Sequence, residues 1–207
     1  TLQIASFTAF NSAPLDPSIR KFGPGSTLAQ DLEPEYIAIS DNSLTAWVTC
    51  QENNAWAIID IPTATVTSLV GMGFKDHSIP GNGLDASDQN GGVVNIATWP
   101  IKGMYQPDAI TSFTVGGQNY IISANEGDVR EYSALNEALR LGSGSYLLDP
   151  TVFPNAATLK NNSNLVRLNV TTKTGDIDND GDFDVIHSFG ARSFSIWNAA
   201  GALVWDS

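Results

Sequence analysis

Cysteine is nearly absent. Cys50 is the only one in 207 residues, so no disulfide can form within the chain. It closes the alternating run Ala46-Trp47-Val48-Thr49-Cys50 and is expected to be a buried structural thiol. A nucleophilic role would need a nearby base, and the two histidines, His77 and His187, are both remote in sequence. Basic residues are also scarce, with 10 Lys+Arg against 22 Asp+Glu and a net charge of −12. That balance excludes a nucleic-acid backbone as partner, which needs clustered Lys and Arg, and favours cations at the surface. Charged residues are only 15% of the chain against 42% hydrophobic, and this combination excludes disorder. No apolar run approaches the ~20 residues of a membrane span, and no basic segment followed by an apolar stretch marks a signal peptide. Gly23-Pro24-Gly25-Ser26 lacks the Gly-Lys-Ser/Thr ending of a phosphate loop. No G-x-S-x-G elbow occurs, which weakens a serine-hydrolase reading. The sequence begins at Thr1, not Met, and the expectation is a processed chain or a fragment.

What the chain has is strand signal. Tyr36–Ser40, Ala46–Cys50, Trp56–Ile61 and Thr65–Val70 are short, apolar or alternating, and bounded by polar turns. They predict an antiparallel four-stranded meander of the kind that forms a propeller blade. The pattern then repeats. Pro34-Glu35 before a strand recurs as Pro107-Asp108, and the polar cluster Gln51-Glu52-Asn53-Asn54 recurs as Asn125-Glu126-Gly127-Asp128. A third, partial copy is read from Phe183–His187, Ser193–Trp197 and Ala202–Trp205. Repeat starts near 34, 107 and 183 predict an all-β, propeller-like fold in one domain or part of one, with the ring incomplete in this chain and completed by further chain or by neighbouring chains. Long insertions at 71–106 and 131–165 widen the spacing. Within the second, Ser133–Arg140 has helical propensity.

The strongest motif is Asp176-Ile177-Asp178-Asn179-Asp180-Gly181-Asp182-Phe183-Asp184. Calcium takes six to eight oxygens, and alternate carboxylates on a tight loop supply them. Asp176, Asp178 and Asp180 hold the first, third and fifth positions. Gly181 allows the sharp turn, Asp182 would offer its main-chain carbonyl, and Asp184 binds directly or through water. His187 stands where an EF-hand has its bidentate Glu, and the flanks read as strands. The motif therefore predicts an EF-hand-like calcium loop outside an EF-hand, of moderate affinity. The bland alternative, a solvated acidic turn, leaves five carboxylates in nine residues repelling one another.

A second set sits at matching places in the repeats: Glu33, Glu35, Glu52, Asp108, Glu126 and Asp128. Projected onto one face of a propeller, these carboxylates would need a metal or raised pKa values. They could equally cap strands and tie blades together. Arg130 is the nearby cation, a candidate phosphate clamp, and His77, with Asp85 and Asp88, a candidate proton carrier. Asn161-Asn162-Ser163 and Asn169-Val170-Thr171 are formal glycosylation sequons.

Several segments carry a family resemblance. They are Leu32-Glu33-Pro34-Glu35-Tyr36-Ile37-Ala38, Gly73-Phe74-Lys75-Asp76-His77-Ser78, Pro80–Asp88, Gly103–Ala109, Ala124–Tyr132 and Gly190–Trp197. In that order they resemble the choice-of-anchor I domain, which occurs in mesenchyme-specific cell-surface glycoproteins and in bacterial surface proteins, some labelled alkaline phosphatases. The resemblance implies a secreted or cell-surface, calcium-associated β-propeller whose domain continues beyond Ser207. Two functions follow as expectations. The first is an extracellular calcium-binding surface or matrix module, with carbohydrate, mineral surfaces or neighbouring domains as partners. The second is a metal-dependent phosphoesterase with a second metal at the ring centre, acting on phosphate esters.

Overall fold

The structure, a computed structural model, describes residues 2–207. Along the chain come β1 (Ile37–Ile39), β2 (Thr45–Cys50), β3 (Ala55–Asp60) and β4 (Thr65–Gly71), then β5 (Phe74–Asp76), β6 (Leu84–Asp85), β7 (Ile96–Ala97) and β8 (Ile101–Met104). Next are β9 (Ile110–Val115), β10 (Gln118–Asn125), β11 (Glu131–Tyr132), β12 (Leu135–Asn136) and β13 (Ala138–Arg140). The last are β14 (Asn169–Thr171), β15 (Ile186–Ser188), β16 (Ser193–Asn198) and β17 (Leu203–Asp206). Among the described residues α-helix is limited to single turns at Leu28–Asp31 and Ala156–Leu159. The all-β expectation holds: the strands form several mainly antiparallel sheets, none closed into a barrel.

The chain divides into two compact units. The first takes the chain up to Phe74, Tyr105–Asp128 and Gly190–Ser207. It holds two four-stranded sheets, ordered β1-β2-β3-β4 and β17-β16-β10-β9. Strand alternation decides which face each side chain takes. In the first sheet Ala38, Trp47 and Trp56 point inward. They meet Ile110, Ile121 and Trp197 of the second sheet in one core. Trp197 presents its ring to Trp56 and to Tyr105, with centroids at 5.5 and 5.1 Å in edge-to-face geometry. Two of the indole N–H groups are satisfied across the core: Trp47 Nε1 donates to the Ala199 carbonyl (2.9 Å) and Trp197 Nε1 to Ser123 Oγ (2.8 Å). On the opposite face of the first sheet, Val48, Cys50, Ala55 and Ala57 are covered by Phe7, Phe10, Ile19, Leu28 and Leu32. Cys50 is fully buried there and in no disulfide.

The strands read as a third copy are paired otherwise. β16 lies antiparallel to β10, from Tyr120↔Asn198 to Asn125↔Ser193, and β17 follows on β16. They are the third and fourth strands of the second sheet. That sheet begins at β9 and β10, and the chain leaves it for residues 129–189 before returning. A hairpin partner normally follows within a few residues, so an interruption of this length hides the pairing from a linear reading.

The expected insertions also do more than loop. Lys75–Met104 and Val129–Phe189 make the second unit. Its main sheet is ordered β13-β14-β15-β8-β5, with β15 and β8 parallel. Leu84, Ile101, Leu141, Phe153, Leu165 and Ile186 share its core, where the Tyr146 and Phe183 rings stack at 4.0 Å. The helical propensity of Ser133–Arg140 is overridden. Ala138–Arg140 pair with Asn169–Thr171, and Glu137, fully buried, accepts from Thr171 Oγ1 (2.5 Å) and from the Arg130 amide (3.2 Å). A buried carboxylate held by those donors outweighs the few tenths of a kcal/mol per residue that propensity offers.

Trp197→Ala removes both ring contacts and the Ser123 bond from the inter-sheet core. It is expected to cost about 3–5 kcal/mol, read as a lower urea midpoint of the near-ultraviolet circular dichroism.

Candidate metal centre

The aspartate loop lies in the second unit, between β14 and β15. Its ends are drawn together by Gly175, whose carbonyl accepts from the amides of Asp184 (2.8 Å) and Val185 (3.0 Å). Gly175 has φ +113 and no room for a Cβ, which would sit 2.2 Å from the Val185 carbonyl oxygen, so glycine is required. The turn passes through Asn179 and Gly181, both at positive φ. Asp176 accepts from the Asp180 and Gly181 amides (both 3.2 Å), and Asp184 from the Ile177 amide (2.7 Å). The backbone thus folds the loop around its own carboxylates.

Two groups of carboxylate oxygens result, each within 4.8 Å: Asp176, Asp178 and Asp184, and Asp149, Asp182 and Asp184. Asp184 belongs to both. Asp182 contributes its side chain to this geometry, where the loop pattern had suggested its carbonyl. Asp180 belongs to neither group and accepts from the Asp182 amide (3.2 Å). Asp149 is the residue that sequence reading missed. It arrives through a parallel bridge between Leu148 and Phe183, reinforced by Phe183 N–H to the Leu147 carbonyl (2.9 Å) and Asp149 N–H to the Phe183 carbonyl (3.2 Å). Asp149-Pro150-Thr151 carries no local signal beyond that of an ordinary turn.

Desolvation, then the charges of Asp180, Asp184 and Asp176, push the Asp178 carboxyl above its usual range. Asp182 is raised likewise, by desolvation and by Asp180, Asp149 and Asp184. Asp149 goes the other way, because Thr151 donates to it from both hydroxyl and amide. Oxygen-only donors of this number match a hard cation such as calcium and no soft metal.

The repeat carboxylates lie in the first unit. Glu33, Glu52, Asp108 and Asp128 all act on Glu35. Burial raises the Glu35 carboxyl, the hydrogen bond with Glu52 opposes this, and the three other charges add to the rise. Glu126 is not among them and instead lines a shallow depression with Arg192 and Phe194. Among the described residues, the only triplets with ligand atoms within 4.8 Å are the two that share Asp184. The neighbouring side-chain amides tie connecting segments together. Asn53 Nδ2 donates to the Arg20 carbonyl (2.7 Å) and to Asp31 (3.1 Å), and Asn54 Oδ1 accepts from the Gln106 amide (2.9 Å). Arg130 and His77 belong to the second unit. Arg130 is 4% exposed and His77 1%. His77 Nδ1 lies 2.7 Å from the Asn82 carbonyl, and Asp88 is paired with Arg167 (2.7 Å).

The family model for the choice-of-anchor I domain matches residues 1–207. The chain belongs to the choice-of-anchor I family. As a member it is a surface-associated β-sheet module, and among the described residues no helix is long and apolar enough to cross a membrane. No curated protein matches the chain. Among solved structures, a chain of hydrazine synthase from Kuenenia stuttgartiensis is similar at 10% identity and a TM-score of 0.28, over 88% of this chain and 39% of that one. The choice-of-anchor I chain thus spans well under half of that chain's length.

A carboxyl whose folded pKa is raised stabilises the fold below its unfolded pKa and loses that contribution as pH rises through the folded value. Glu35→Gln removes a desolvated charge and its repulsion by the neighbouring carboxylates, so it is expected to raise the melting temperature by about 1–2 °C at neutral pH. The gain should vanish near pH ~4, where carboxyls protonate anyway. Differential scanning fluorimetry at the two pH values checks it.

Proposed function

We propose that this choice-of-anchor I chain is a secreted calcium-binding surface module. Calcium would be held by Asp176, Asp178 and Asp184, with Asp149 and Asp182 on the same shared carboxylate. The observation that supports this most is the convergence of five carboxylates from two distant segments. Such a group repels itself unless a cation or protons neutralise it. Bound calcium would pin the Leu147–Asp149 turn to the β14–β15 connection and so stabilise the second unit without switching it. With no bidentate Glu closing the loop, affinity is expected in the ~10⁻⁴–10⁻³ M range of extracellular modules. Coordination left open on such a calcium would bridge to acidic carbohydrate or to a mineral surface.

The phosphoesterase alternative has less behind it. Its phosphate clamp Arg130 and proton carrier His77 are both buried, and among the described residues none of its proposed ligands belongs to a triplet with ligand atoms within 4.8 Å.

Adding about 10 mM calcium to chelated protein is expected to stabilise it by roughly 1.4–2.7 kcal/mol, a rise of about 3–11 °C in melting temperature. Protons compete for the same oxygens, so the rise should shrink toward pH ~4. Asp178→Asn with Asp184→Asn should abolish it, and Asp149→Asn should reduce it. An unchanged calcium response in the double variant would sink the assignment.

A further inference from the structure

Two Asn-Gly pairs occur in the sequence, Asn82-Gly83 and Asn90-Gly91. Both lie in the second unit, and the fold treats them differently. Asn82 is held at three points. Its amide donates to the Ile79 carbonyl (3.0 Å), its Nδ2 donates to the Asp76 carbonyl (3.0 Å), and its own carbonyl accepts from His77 Nδ1 (2.7 Å). Gly83 packs against β7, where a Cβ would sit 3.0 Å from the Ala97 carbonyl oxygen. Asn90 stands in residues 86–95, the connection from β6 to β7, which has no regular structure. That loop is anchored near its start, by Ser87 Oγ donating to the Asn162 carbonyl (2.5 Å) and by the Asp88–Arg167 ion pair (2.7 Å). Past Asn90 it is exposed from Gly91 to Ile96. The Asn90 side chain bonds only within the loop, from Nδ2 to the Val93 carbonyl (2.5 Å).

We infer that Asn90-Gly91 is a site of spontaneous covalent modification, where the folded protein deamidates without an enzyme. The Gly91 amide nitrogen, deprotonated by hydroxide, attacks Asn90 Cγ. The N–Cγ bond forms, the Cγ–Nδ2 bond breaks, and Nδ2 leaves as ammonia after taking a proton from water. Water then opens the succinimide ring at either carbonyl, giving aspartate or its β-linked isomer, isoaspartate. One water is consumed and one ammonia released, with no oxidant or reductant. Glycine favours the attack because no Cβ crowds its nitrogen and its backbone turns freely. The backbone must also swing until that nitrogen reaches Cγ. A loop with exposed backbone and few buried contacts opens at little cost, whereas Asn82 is pinned on both sides of its Cα. The β6–β7 pairing is only two residues long, and no other sheet depends on the loop between them. The extra methylene that isoaspartate puts into the main chain is therefore absorbed without unfolding. Either product is ionised at neutral pH, so the chain becomes one charge more negative than −12.

Holding the folded chain at about pH 8 and about 37 °C for several days tests this. Tandem mass spectrometry of the tryptic peptide spanning residues 76–102, which contains both pairs, reads each site separately. The expected result is a mass gain of about 1 Da at Asn90, with isoaspartate among the products, at least about tenfold faster than at Asn82. In urea the two rates should converge, because the hydrogen bonds that hold Asn82 are gone. Gly91→Ala keeps Asn90 but crowds the attacking nitrogen, and a Cβ at Gly91 meets nothing within 4 Å. It should slow conversion at least about tenfold. Should that variant misfold, the comparison of the two sites in the wild-type chain still decides. Asn82 reacting as fast as Asn90 in the folded chain overturns the inference. So does an Asn90 that stays intact when folded yet converts in urea, or an unchanged rate in folded Gly91→Ala.

Discussion

The antiparallel register between β10 and β16 is the constraint on which the first unit depends. It puts Trp197 opposite Ile121, and so against Trp56 and Tyr105 in the inter-sheet core. A buried polar chain runs along the same register. Trp197 Nε1 donates to Ser123 Oγ, which donates to Asn125 Oδ1 (2.7 Å). Asn125 Nδ2 donates to Ser193 and Ser195 (2.9 and 2.6 Å), and Ser195 Oγ donates to Asp206 (2.6 Å). Each group in the chain has a partner, so it fixes the register instead of costing stability. A one-residue slip would turn Trp197 to solvent and orphan every link. Because β10 and β16 are separated by the whole of residues 129–189, the second sheet is complete only when the chain returns.

The second unit is governed by a different balance. Its core is largely aliphatic, with Phe153 and one stacked aromatic pair, and its surface gathers negative charge where Asp149 meets the aspartate loop. Surface ion pairs elsewhere in this unit, such as Lys102–Asp76 (2.5 Å), contribute at most about 1 kcal/mol each. They do not reach the loop. Backbone amides hold the loop carboxylates in place but leave their mutual repulsion standing, as the raised Asp178 and Asp182 show. That residual repulsion is what a divalent cation would relieve.

Much of this was legible in the sequence where the determinants are local. The meander from Ile37 to Gly71 follows from alternation and turns. The aspartate loop is legible because its spacing and Gly181 lie within nine residues. Where the determinants are distant, reading failed in specific ways. Ser193–Asn198 and Leu203–Asp206 were readable as strands, but their partner β10 was not, so they looked like the start of another copy. Asp149 has no local mark and is brought to the loop only by the Leu148–Phe183 bridge. Ser133–Arg140 favours helix on propensity alone, and only the buried Glu137 and the β13–β14 pairing decide for strand.

The central claim is that a cation occupies the carboxylates gathered on Asp184. The direct measurement is an anomalous difference map from crystals grown in calcium, with data collected at long wavelength. The account predicts a peak with oxygen ligands at about 2.3–2.6 Å from Asp184 and from Asp176 and Asp178, or from Asp149 and Asp182. An ordered loop with its carboxylates turned to solvent and no anomalous peak beside Asp184 would contradict it.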